Sequence, residues 1–303
     1  MITCSTVSLI LMDRFELFRK IEGDLSKHVI EESINKFPEE VGLVRNLIDT
    51  FVGLGSLISR PSESYQRNTV FLVYLWEAWH SSRRSLIESL SGHYNAGFIL
   101  LRSTLELMVK GVVYQCLSQK KFRENANFLR DKKDVYILRL DELLVNQAHL
   151  VEEFNSSAIS TFDKLEKSFA DYRPNVKHFL SQILQWHLLD GIEISTNDLY
   201  SDFYGRLSSD VHVMPNSTDT GRAIKSGETA FGDKHVIDEA LLEYLNSVTQ
   251  IIDLVMIITL NWIKENIQDR NRLQSVLIDY FKEVEVEKLS LPLFKKRYLE
   301  LTT

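Results

Sequence analysis

A chain of 303 residues with only 5 prolines and 12 glycines has few places to turn, so long helices fit it better than many short strands. Its formal net charge of −7 repels nucleic acid and anionic membranes as a whole, so a role on RNA requires a local basic patch. Cys4 and Cys116 are the only cysteines, which excludes a disulfide framework and a zinc ribbon.

Taken in chain order, residues 1–60 hold amphipathic patterns. Phe15, Phe18, Ile21 and Leu25 recur at three and four residues. Ser26–Lys36 continues to Phe37-Pro38, where proline forces a break, and Glu39–Ser59 resumes with Val41, Val44, Leu47, Ile48, Phe51 and Leu54. Val7–Met12 is too short for a signal-peptide core. After Arg60-Pro61, a long helix is predicted over Tyr65–Ser91, ended by Gly92. A second follows over His93–Ser118 and is apolar nearly all round, the mark of a helix at the centre of a fold. Joined by a short link, the two predict a central antiparallel hairpin.

Gln119–Arg139 is basic, and helical patterns recur over Ala148–Ala170 and Arg173–Leu189. Ser195-Thr196-Asn197-Asp198 resembles a capping box for a helix over Asn197–His212. Asn216–Asp233 reads as one long turn-rich loop. Val236–Lys264 is another strong helix. Its apolar run Ile251–Ile263 is interrupted by Asp253 and Asn261 and falls short of the ~20 residues of a membrane span. A mixed-charge tail containing Pro292 closes the chain. The expectation is a soluble cytoplasmic protein with no membrane contact. Its fold is all-α, a helical bundle with a central antiparallel hairpin and additional N- and C-terminal helices. The segments are 1–60 as an N-terminal extension, 61–268 as the core and 269–303 as a C-terminal tail.

Two polar stripes carry the candidate chemistry. Arg102, Glu106 and Lys110 are four apart on the oily second helix. Arg preceding Glu is the weaker order for an intrahelical pair, so either the stripe is the helix's thin wet face or its charges are paired across to another helix. Arg206 and His212 share the later helix. A guanidinium offers a planar fork to phosphate oxygens, and an imidazole moves a proton near neutrality. Alternatively the two are an exposed arginine in a salt bridge and a histidine near a helix end.

Other patterns lead elsewhere. Glu77-x-x-His80 is half of a di-iron motif with no second half in the chain. Trp76, Trp79 and Trp186 read as core at helical spacing. Gly221, Gly227 and Gly232 lack phosphate-loop spacing. No cofactor and no metal ligand set is expected.

Together, LLRSTLE (Leu100–Glu106) and YGRLSSDVH (Tyr204–His212) resemble the HEPN-like helical families. These include uncharacterised members that pair an R-x-x-x-E helix with a later L-S-x-x-V-H segment, over about 65–262 of this chain. The resemblance implies a helical core domain, a homodimer with two copies facing one substrate, and metal-independent cleavage of RNA or processing of a nucleotide, in defence or stress. Arg206 and His212 satisfy the family's Arg-x4-6-His, with Leu207 where many members carry a polar residue. The implied site is Arg206 on the phosphorane charge, His212 as general acid or base, and Glu106 and Arg102 holding both in place. Lys120, Lys121, Arg123, Lys132 and Lys133 are the candidate RNA-backbone contacts, unless that run is simply solvated. The resemblance also covers non-catalytic members. A helical interaction module with an unknown protein partner, or a small-molecule-binding bundle using the same polar groups as a pocket floor, stands beside the enzyme reading.

Overall fold

A computed structural model describes residues 27–57, 69–117, 120–127, 175–211, 218–227, 236–267, 269–282 and 290–303. Among these the chain is helical, with no strand. The helices are α1 (Lys27–Lys36), α2 (Pro38–Ser56), α3 (Thr69–Leu90), α4 (Tyr94–Cys116), α5 (Lys120–Arg123) and α6 (Val176–Gln185). There follow α7 (Thr196–Leu199), a π-helical segment (Tyr200–Gly205), α8 (Arg206–Val211), α9 (Asp219–Lys225), α10 (Asp238–Asn266), α11 (Arg270–Phe281) and α12 (Pro292–Thr302). The predicted helices over Phe15–Leu25 and Ala148–Ala170 lie outside the described residues.

The α3–α4 hairpin forms the centre, as its two apolar patterns predict. Gly92 makes the reversal at φ +80°, a conformation that costs glycine little. The helices touch closely. A Cβ on Gly97 would lie 1.9 Å from Ser89 Oγ, and one on Gly111 would lie 2.5 Å from Tyr74 Cβ. That closeness lets Ser85 donate to the Gly97 carbonyl at 2.7 Å and Ser81 to the Leu100 carbonyl at 2.9 Å. The last turns of α4, from Gly111 to Cys116, are wholly buried, in keeping with a helix apolar on every side.

Helix α10 runs across this hairpin and packs against α2, α4 and α12. By length and composition it is apolar enough to cross a membrane, a longer span than the run Ile251–Ile263 alone offers, but most of that stretch is buried inside the protein. The two polar residues that interrupt the run explain how the chain beyond it is held. Asp253, 4% exposed, accepts the backbone N–H groups of Leu293 and Phe294 at 3.0 and 2.8 Å. These are donors that the first turn of α12 cannot satisfy within itself. Burial raises the Asp253 carboxyl above its ordinary value, and the two amides pull the other way. Asn261 donates to the Leu188 carbonyl at 3.1 Å and accepts from Arg297 Nε at 2.8 Å. Phe281 then packs on Phe294 and Tyr298 at centroid distances of 5.3 and 5.1 Å, fastening α11 to α12.

The expected C-terminal helices are α11 and α12. Residues of α2 and of α12 also join the same buried core as the hairpin. Part of the long loop 216–233 is helix: Thr218 caps α9 by accepting Gly221 N–H at 3.0 Å. Asp219 at its start accepts Asn95 N–H at 2.9 Å, so it caps the first turn of α4 from outside. The predicted break at Phe37-Pro38 separates α1 from α2, and the proline opens the first turn of α2, where its missing N–H is not needed. Of the three tryptophans read as core, Trp186 is buried and Trp79 packs at the core's edge, but Trp76 is 47% exposed. It lies edge-on to Trp79 on the outer face of α3.

Asp253→Ala removes the acceptor of two backbone donors and should cost roughly 1–3 kcal/mol, read as a lower urea midpoint. Hydrogen exchange should accelerate first at Leu293 and Phe294. Unchanged exchange at those amides would show that α12 is held by its aromatic contacts alone.

Candidate functional site

The segment that sequence reading singles out is built in three pieces. Ser195 caps α7 by accepting Asp198 N–H at 3.1 Å, and its own hydroxyl donates to the Asp198 carboxylate at 2.6 Å. The predicted cap is therefore present. The second bond runs hydroxyl to carboxylate rather than returning to the cap's backbone. Six residues, Tyr200–Gly205, then take the wider π turn before α8 resumes. Such turns shift the register of the next helical turns and occur often at functional sites. Leu199, Tyr204 and Leu207 are buried and press this segment onto the rest. Leu207, next to Arg206, is 2% exposed and serves as core.

Helix α8 packs against α4, and the polar stripe of α4 meets it there. Arg102 Nε donates to Glu106 Oε1 at 3.0 Å. Tyr204 donates its hydroxyl to the same oxygen at 2.8 Å and accepts from Arg102 Nη2. Arg102 Nη1 reaches Ser208 Oγ at 3.4 Å, and the guanidinium carbon lies 4.5 Å from the Tyr204 ring centroid. Cation, carboxylate and phenol thus satisfy one another across two helices. This resolves why an Arg-to-Glu pair in the poorer order stands on a buried helix: its third partner comes from 98 residues further along the chain. Burial pushes the Tyr204 phenol up to about 12, the Glu106 carboxylate acts in the same direction, and Arg102 opposes both. Lys110, the third member of the stripe, is half-buried.

Arg206 takes another course. Its side chain is 42% exposed, and Nη2 lies 3.5 Å from Glu243 Oε1 while Nη1 lies 3.4 Å from Gln250 Oε1, both on α10. It lines a cleft of about 630 Å³ between the stretch 192–194, the π segment, α10 and the start of α12. Thus Arg102 and Glu106 are brought together, and Arg206 is turned to a different helix. His212 lies outside the described residues, as do Lys132 and Lys133. Lys120 and Arg123 stand on α5, and Lys121 pairs with Glu265 and lies over the Phe122 ring at 4.7 Å. No group of three or more metal-ligating side chains occurs among the described residues.

Tyr204 and Ser208 were not singled out from the sequence. Their signal was the four-residue spacing of Tyr204 and Ser208, which places the two on one helical face.

Tyr204→Phe keeps the ring and removes both hydroxyl bonds. The expected loss is roughly 1–2 kcal/mol of stability, and a double-mutant cycle with Glu106→Gln should be non-additive. The folded chain holds the phenolic proton more tightly than an unfolded tyrosine of value 10.0. Its contribution is therefore whole below pH 10 and is lost as the pH climbs towards 12. Carbon-13 NMR of Cζ-labelled tyrosine should show a signal titrating near 12 that Tyr204→Phe removes; if every signal titrates near 10, the bond to Glu106 does not persist in solution. No protein-family model matches this chain, and no curated protein and no solved structure matches it.

Proposed function

We propose that this protein cleaves RNA by metal-independent transesterification, working as a homodimer. The observation that carries the reading is the Arg102–Glu106–Tyr204–Ser208 network. It binds the two sequence segments of the HEPN-like resemblance to each other, and His212 follows Ser208 by four residues in the sequence. In this reading the ribose 2′-hydroxyl attacks the adjacent phosphorus. The bond to the 5′-oxygen breaks, and the products are a 2′,3′-cyclic phosphate and a 5′-hydroxyl.

His212 moves the proton. Arg102 supplies the cation for the phosphorane, because among the described residues its Nη1 edge meets the long contact to Ser208, a partner that a phosphate oxygen can replace. Glu106 and Tyr204 act as positioning residues that aim the guanidinium. The resemblance assigns the phosphate role to Arg206, but that side chain faces a cleft also lined by Glu193 and Asp202, a poor setting for a polyanion. In this reading the role passes to Arg102.

A second reading is favoured by the same closure. Since guanidinium, carboxylate and phenol already satisfy one another, the network also suits a non-catalytic helical module whose register it fixes.

The two separate in one assay. Single-stranded RNA labelled at its 5′ end and incubated with EDTA should be cut to fragments ending in cyclic phosphate. His212→Ala should lower the rate roughly 10²- to 10⁴-fold while leaving the melting temperature unchanged, and Arg102→Lys should lower it with a smaller stability loss than Arg102→Ala. Cleavage by His212→Ala at the wild-type rate, or no cleavage by the wild type across varied RNAs, would end the enzyme reading in favour of the structural one.

A further inference from the structure

The cleft around Arg206 is separate from the Arg102 network, and the chemistry proposed above leaves it unused. Its volume of about 630 Å³ falls within the range of small-molecule sites. Phe203 and Leu293 contribute apolar surface. Glu193 and Asp202 contribute exposed carboxylates, and Arg206 and Gln250 contribute a guanidinium and an amide. Asp253 lies in the floor, but its oxygens are engaged by the amides of Leu293 and Phe294, so it shapes the cleft rather than reading a ligand.

These groups narrow the ligand. A free phosphate or other anion would face Glu193 and Asp202. A simple amine would satisfy the carboxylates but offers no acceptor to the Arg206 guanidinium. What fits is a flat, largely uncharged molecule with donors on one edge and acceptors on the other. Guanine has this pattern: N1–H and the exocyclic N2 amino group donate, while O6 and N7 accept. Carboxylates are acceptor-only and suit the first edge. The guanidinium fork is donor-only and suits the second. Adenine offers an acceptor at N1 where a carboxylate would stand, and the pyrimidines lack the second edge.

We propose that this cleft is a guanine site. Glu193 and Asp202 receive the donors N1–H and N2 of the Watson–Crick edge, Arg206 turns from Gln250 at 3.4 Å and Glu243 at 3.5 Å towards O6 and N7, and Phe203 and Leu293 lie against the ring. The site stands independently of cleavage.

The test is calorimetric titration of the full-length protein with GMP, AMP, CMP and guanosine. GMP should bind at least tenfold more tightly than AMP or CMP, and guanosine should retain most of the GMP affinity because the base carries recognition. Arg206→Met and a Glu193→Gln/Asp202→Asn double variant should each weaken GMP binding roughly 5- to 150-fold. These positions are exposed, so melting temperatures should stay at the wild-type value and confirm folded variants. Equal affinity for all nucleotides, no binding of GMP, or GMP binding untouched by both variants would overturn the site. RNA cleavage with no GMP binding sinks this inference alone. GMP binding in a protein that cuts no RNA sinks the ribonuclease reading and leaves this one standing.

Discussion

The late helical segment is placed by one demand, that the Arg102 guanidinium find partners once α4 is buried. An arginine on an otherwise apolar helix must be paired or hydrogen-bonded, since an unpaired buried charge costs several kcal/mol. Glu106 on the same helix meets part of that demand, and the Tyr204 ring and hydroxyl meet the rest. Tyr204 in turn requires the chain to reach α4 at one register only, and the π turn at Tyr200–Gly205 supplies it. The same segment then has no freedom to turn Arg206 towards Arg102. Two cations on one face would repel, and Arg206 instead lies against Glu243 and Gln250 on α10.

The same rule of satisfied polar groups recurs at the other end of the bundle. Helix α10 is apolar enough that its burial is driven by area alone, which fixes that it is inside but not what lies against it. Asp253 and Asn261 supply the direction. A carboxylate that accepts two first-turn amides and an amide that links Leu188 to Arg297 accept α12 in one position. Hydrophobic burial thus selects the layers, and a small number of buried polar side chains select the register within them. Asp219, capping the first turn of α4 from α9, is a third instance.

Much of this was legible along the chain, for a physical reason. The hairpin α3–α4, the helix α10 and the cap at Ser195 are written in local terms: period-3.6 apolar spacing, a glycine at a reversal, a hydroxyl three residues before an acid. The pairing of Arg102 with Glu106 was also visible as a spacing. Its third partner was not, because no local pattern announces that a tyrosine 98 residues later will share an oxygen with Glu106. The expectation for Arg206 was drawn from the shared helix. Arg206 instead meets α10, and the π turn that precedes it leaves no plain mark in the residues. Trp76 was misplaced for a similar reason: an aromatic at helical spacing is apolar whether its neighbour is core or water, and α3 is long enough to present one face outward.

By itself the amino-acid order determined that the described residues are helical, that the α3–α4 hairpin and α10 lie innermost, and which few charged residues must be accommodated among apolar ones. These follow from periodicity and from the conformational preferences of single residues, both readable within a few turns. Tertiary structure alone decided the partners: Tyr204 for Arg102 and Glu106, Glu243 and Gln250 for Arg206, the start of α12 for Asp253. It alone also formed the cleft in which carboxylates and a guanidinium face one volume. Those outcomes depend on how separate helices are rotated and shifted against each other. That geometry is settled by the joint packing of side chains far apart in the chain, and no short stretch of sequence contains it.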